Sequence, residues 1–167
     1  MTKTYKQLME EMKGTYAGVR LDKKSNNLIE TYMKEHDVPN RVPTDKLHIT
    51  LLYSRKYLPN YKPSQTSYPM SAKTVGFHIW KTQSLEHKDS KNCLVLEINA
   101  PKLIKRHKEL MDEHEATFDY PEYKTHITLS YDIGDFDISD LPKMHNLLTI
   151  EKEYKEDLDL NWADKHG

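Results

Sequence analysis

A single cysteine, Cys93, is all the thiol chemistry in this 167-residue chain, so no intrachain disulfide staples the fold. It sits in an apolar run and reads as a packing thiol rather than a reactive one. Glycine is nearly as scarce. There are five, and none belongs to a phosphate-cradling loop, so ATP-type binding is not expected. No charge of either sign dominates: 25 Lys and Arg face 26 Asp and Glu, for a formal net charge of -1. A long nucleic acid needs several cations on one face and is therefore not an expected partner. A small phosphorylated ligand in a locally positive cleft stays open. No run reaches the roughly 18 apolar residues of a membrane span. The start, MTKTYKQLMEEMKG, has no apolar signal-peptide core. The chain reads as soluble and intracellular, with no membrane contact and no obligate protein partner implied. HExxH, a cysteine cluster, a calcium loop and GxSxG are all absent from the sequence, which removes the commonest metal and acyl-transfer signatures.

What remains is rich in alternation and helical periodicity. Thr4 can cap a first helix carrying Tyr5, Leu8, Met9 and Met12, ended by Gly14. Residues 15–21 suit a strand. A helix opening at Ser25 has Leu28, Ile29, Tyr32 and Met33 as its apolar face, and Pro39 and Pro43 break it. Residues 46–53 read as a strand. The stretch from Tyr57 to Pro69 reads as a surface loop able to cover a cleft. Strands are expected over 73–82 and 91–99. A helix starting at Pro101 lines up Leu103, Ile104, His107, Leu110, Met111 and His114, with the two histidines as packing or capping residues. Residues 123–131 form a further strand, and an acidic turn segment follows. The tail from Leu147 to Trp162 mixes strand-like and charged residues and is left unassigned.

Strand, helix and strand thus occur in residues 15–53 and again in 91–131. This is an internal duplication, and it predicts an α+β fold of antiparallel sheets with flanking helices: one domain, 1–167, of two pseudo-symmetric lobes around a central cleft. The sharpest signal lies in its second strands. LHITLLYS and THITLSYD share His-Ile-Thr-Leu-x-Tyr. Strand residues two apart point the same way. His48 and Thr50 therefore share one face, and Ile49, Leu51 and Tyr53 the other. His126 and Thr128 repeat this against Ile127, Leu129 and Tyr131. With the apolar sets in the core, both polar sets face the cleft. Two imidazoles in one cleft supply what phosphodiester cleavage needs: a base for the attacking hydroxyl and an acid for the leaving oxygen. The threonine hydroxyls can donate to the non-bridging phosphate oxygens. A metal site is the main chemical rival, and threonine is a poor ligand for one.

Paired His-x-Thr motifs in a duplicated α+β chain resemble the two-histidine phosphoesterase superfamily, which includes RNA 2′,3′-cyclic phosphodiesterases. Within it, the chain is similar to the phage anti-CBASS protein one family. The carrying segments are GTYAGV (14–19), DKLHITLLYSRKYLPNY (45–61), YKTHITLSYDIGDFDISDLP (123–142) and EYKEDLDLNW (153–162). The resemblance implies hydrolysis of cyclic di- and trinucleotide signals of bacterial antiviral defence, in the cytoplasm of the infected host. His48 and His126 are then the acid/base pair, and Thr50 and Thr128 hold the phosphate. No metal or other cofactor is implied. It also implies Tyr16 and Trp162 as aromatic plates around an adenine, with Glu156 accepting from its amine. On the residues alone, Trp80 is an alternative plate, although its alternating strand suits core packing. Glu151 and Glu153 compete with Glu156, and Lys124 and Arg55 could supply positive charge to the cleft, although each suits an ordinary surface cation. An enzyme acting on RNA 2′,3′-cyclic ends, or a module that sequesters the nucleotide without cutting it, are the alternatives.

Overall fold

The computed structural model describes Thr4 and residues 13–82, 91–118 and 122–159. The expected first helix and Trp162 lie outside them. The elements run β1 (Lys13–Leu21), α1 (Lys23–Glu35), β2 (Ile49–Ser54), β3 (Met70–Thr82), β4 (Lys91–Asn99), α2 (Pro101–His114), β5 (His126–Ser130) and β6 (Leu147–Asp159). The unassigned tail is thus a long strand. It escapes the alternation test because neither of its faces is uniformly apolar.

All six strands share one sheet in the order β2-β1-β6-β3-β4-β5, with every neighbouring pair antiparallel. β1-α1-β2 and β4-α2-β5 repeat the same path, and each half places its His-x-Thr strand outermost. The halves meet along a seam of four residue pairs, Met70↔Ile150 to Lys73↔Leu147. The outer strands β2 and β5 also lie against each other, so the sheet curls until its two edges approach.

Asp22 caps α1, its carboxylate accepting the Ser25 N–H at 2.8 Å, so the helix opens two residues before Ser25. Ile29 and Met33 are buried, as are Leu103, His107 and Leu110 of α2. Ile104, expected on that apolar face, is 44% exposed. The stripe 103–107–110 has the helical spacing of a buried seam, and Ile104 falls on its flank. On β1 the odd residues Thr15, Ala17, Val19 and Leu21 enter the core, while Tyr16 and Arg20 on the other face are only half-buried.

The 57–69 stretch forms no helix or strand, as expected of a loop, and Pro59, Asn60 and Lys62 are exposed, but the loop is anchored to the sheet. Leu58 and Tyr61 are buried, and one carboxylate organises the segment. Glu153 of β6, its side chain without solvent contact, accepts from Tyr61 Oη (2.5 Å), Tyr68 Oη (2.7 Å), the Ser64 N–H (3.1 Å) and Arg106 through Nε and Nη2 (3.0 Å each). Lys155 adds bonds to the carbonyls of Leu58 (2.8 Å) and Tyr61 (3.1 Å). Polar residues of β6 thus replace an apolar face on this side of the sheet.

Candidate active site

The two motif strands depart from simple alternation in the same way. In β2 the partners of β1 run Gly18↔Thr50 and then Ala17↔Leu52, so Leu51 is an extra residue. In β5 the partners of β4 run Val95↔Thr128 and then Leu94↔Ser130, so Leu129 is extra. Each is a β-bulge, and a bulge reverses the phase of everything after it. Leu51 and Leu52 are both buried, as are Leu129 and Ser130. Tyr53 therefore pairs with Tyr16 on the face that carries Thr50, not on the core face expected. Tyr131, likewise expected inside, is 54% exposed and hydrogen-bonds Thr128 through its side chain.

Cross-strand partners share a face, so the register maps the face that carries the β2 motif. Tyr53, Tyr16 and Glu156 form one row, and Thr50, Gly18 and Tyr154 the next. Gly18 is required there. A Cβ on it would stand 2.5 Å from Tyr154 Oη, so only glycine lets that ring lie across β1. Tyr16 Oη and Thr50 Oγ1 are 3.0 Å apart. Burial, above all, raises the pKa of Tyr16, Tyr131 and Tyr154, which keeps all three as neutral phenols able to donate.

The histidines are held identically. His48 Nδ1 lies 2.9 Å from Lys46 O, and His126 Nδ1 lies 2.9 Å from Lys124 O. A carbonyl only accepts, so Nδ1 carries the proton in both rings and Nε2 is left for chemistry. The Tyr16 ring meets His48 edge-on at 6.3 Å between centroids. Trp80, expected in the core, is half-buried with its ring centroid 4.4 Å from that of His126. Burial lowers the His126 pKa; the bond to Lys124 O opposes this and the nearby His48 adds to it.

A brace joins the two motif strands. His107 Nδ1 donates to Leu51 O (2.7 Å), Tyr123 Oη donates to Thr50 O (2.7 Å), and the two rings stack 4.0 Å apart at 8°. Successive carbonyls of a regular strand point in opposite directions. Here stacked side chains take two in a row, which is the β2 bulge seen from outside. Tyr123 also leads into β5, so one residue fixes Thr50 and precedes His126. The second bulge is held by main chain instead, with the Val42 N–H on Leu129 O at 2.8 Å.

Of the residues singled out in the sequence, Thr50, His126 and Thr128 lie on the two facing strands, His48 immediately precedes β2, which begins later than the strand expected over 46–53, and Tyr16 and Glu156 share a row. Glu153 is consumed by Arg106 and the tyrosines, and Glu151 is the unpaired residue of a β6 bulge. Lys124 is exposed beside His126, and Arg55 is exposed past the end of β2. Sequence reasoning missed Tyr53, Tyr131, Tyr154 and Arg20. For the first two a signal existed: the tyrosine repeats in both motifs.

The model of the family described as anti-CBASS protein Acb1 matches residues 13–165. The chain belongs to the anti-CBASS protein Acb1 family. Relatives of that name include those of Acinetobacter phage Ac42, 38% identical over 90% of this chain and 94% of the relative. That of Vibrio phage KVP40 is 34% identical over 92% and 93%. That of Enterobacteria phage T4 is 34% identical over 90% and 92%. Among solved structures, TT0787 of Thermus thermophilus superposes with a TM-score of 0.54 at 15% identity, covering 85% of this chain and 86% of that one. E. coli LigT complexed with NADP+ gives 0.54 at 14% identity over 86% of each. The Acb1 family chain therefore has the LigT-like fold of two-histidine phosphoesterases, a six-stranded antiparallel sheet with helices. No helix among the described residues is long and apolar enough to cross a membrane.

Proposed function

We propose that this Acb1 family protein hydrolyses the 3′–5′ bonds of cyclic di- and trinucleotide immune signals in the cytoplasm of an infected bacterial cell, by two-histidine acid/base catalysis without a metal. The observation that carries the reading is the matched pair of imidazoles. Each is locked through Nδ1 to the carbonyl two residues before it, on strands that lie against each other.

The ribose 2′-hydroxyl gives its proton to one Nε2 as its oxygen attacks phosphorus. The 5′-oxygen leaves and takes a proton from the other. Water then opens the 2′,3′-cyclic phosphate to a 3′-phosphate, with the two histidines exchanging roles. Burial favours the neutral form of His126, which suits it to accept the first proton. That leaves His48 as the donor. Thr50 and Thr128, each bonded to a tyrosine, hold the non-bridging oxygens. Tyr16 stacks on an adenine and Glu156, one strand over, accepts from its amine; Trp162 supplies a second plate. Stacking of this kind contributes roughly 1–3 kcal/mol per base.

The mechanism depends on the substrate's own nucleophile. A cyclic dinucleotide with 2′-deoxyribose on both sugars is expected to bind, by calorimetry, and to survive overnight incubation. Its cleavage by the protein would remove the 2′-hydroxyl, and with it this mechanism.

A further inference from the structure

The symmetry between the lobes breaks at one level of the cleft, and the break is electrostatic. One step beyond Val19↔Ile49 in the β1–β2 register, Arg20 stands level with His48. In the other lobe the residue paired with His126 is Glu97. A cation thus occupies the place in one half that an anion occupies in the other. Glu97 is engaged, with His78 Nε2 at 2.8 Å.

Arg20 has donors to spare. It makes one long hydrogen bond, Nη1 to Leu47 O at 3.3 Å, out of five N–H groups, and among the described residues no carboxylate pairs with it. Arg106, the partly buried arginine of α2, by contrast gives two bonds to Glu153. The Arg20 guanidinium lies 4.7 Å from the centroid of the Tyr154 ring, which is itself seated across Gly18. This cation–π contact holds the guanidinium without using its N–H groups. Lys152, in register with Arg20, adds a second exposed cation on the same face.

A guanidinium held over an aromatic ring, with unused donors and a cation beside it, is suited to an oxyanion. The phosphate under attack is already accounted for by the two His-x-Thr pairs. We propose that Arg20 binds the second, uncleaved phosphodiester of a ring substrate. This rests on the cyclic-nucleotide reading above. A cyclic dinucleotide carries two phosphates across its ring, so when one sits between the histidines the other lies to one side. Arg20 attracts it into the first lobe and Glu97 repels it from the second. The pair orients the ring and makes Arg20 a specificity residue for substrates with more than one phosphate.

The test measures Arg20→Gln and Arg20→Lys beside the wild type in two ways: turnover of 3′,3′-cyclic GMP–AMP, and calorimetric Kd for its doubly 2′-deoxy analogue. Arg20→Gln is expected to raise KM and Kd by at least about tenfold, the scale of one charge-assisted contact, with kcat within about threefold of wild type, because a contact equal in ground and transition states changes affinity and not turnover. Arg20→Lys, which keeps the charge, recovers most of the loss. A fall in kcat with Kd unchanged would overturn the proposal and make Arg20 a positioning residue acting through Leu47 O on His48. Unchanged KM and Kd would overturn it too. Failure of the wild type to cut the ring while binding the analogue would strike the hydrolysis reading instead, and the Kd comparison would still decide for or against Arg20.

Discussion

His48→Ala and His126→Ala each lower kcat on a cyclic dinucleotide by at least about 10²-fold, the scale of one general acid or base, while the chain stays folded. Among the described residues, each ring's hydrogen bond is to a carbonyl two residues back, so its removal leaves no distant described group unpaired. Neither residue belongs to the buried core. Circular dichroism and the melting temperature report folding, and steady-state turnover reports chemistry. The double variant is expected to lose little more than the worse single one, because two groups acting on one proton-transfer event are not additive. Near wild-type turnover in either folded variant would remove that histidine from the mechanism.

The largest effect on stability is expected at Glu153. Glu153→Ala removes the shared partner of Arg106, Tyr61, Tyr68 and Ser64, leaving two hydroxyls and one backbone N–H without this acceptor and Arg106 with its 3.9 Å pairing to Glu109. Breaking a buried pair from one side costs about 3–5 kcal/mol, a large share of the roughly 5–15 kcal/mol that holds a domain together. Glu153→Gln keeps one acceptor oxygen and is expected to lose less. Burial by itself would raise the Glu153 pKa, but Arg106 and the two tyrosines outweigh it and hold it below its ordinary value. A lowered carboxylate pKa means this stabilisation is present above the pKa of an unfolded glutamate and drains away as pH falls through the folded value. Denaturant titration at neutral and acid pH measures both effects. A loss under about 1 kcal/mol for Glu153→Ala, set against the cost of a broken buried pair, would show that the hub does not hold the 57–69 segment.

The placement of the two motif strands was legible because it is encoded twice, in a six-residue pattern whose polar and apolar positions obey the strand period. The faces of Tyr53 and Tyr131 were not. A bulge shifts phase by one residue, and its only local trace is two consecutive buried residues, Leu51–Leu52 and Leu129–Ser130, which read equally well as ordinary strand. The β2 bulge is fixed from far away, by His107 and Tyr123. Strand β6 was illegible for a related reason. Glu-Lys-Glu-Tyr-Lys-Glu shows no apolar face, since one side lines the cleft and the other feeds Glu153 and Lys155 into the 57–69 segment. Tyr61 looked like a loop tyrosine because its partner lies 92 residues away. The proposed adenine contacts stand unequally: Tyr16 and Glu156 are neighbours on one face, whereas Trp162 lies outside the described residues.

The proposed site gathers two histidines, two threonines and three un-ionised tyrosines from two facing strands and their neighbours. The most direct test of that account is incubation of the purified protein with 3′,3′-cyclic GMP–AMP in excess EDTA, followed by mass spectrometry. A linear, 3′-phosphorylated product is expected, and it would join reaction, substrate class and metal independence in one result. Recovery of the intact ring, in EDTA and with divalent metal alike, would contradict the account.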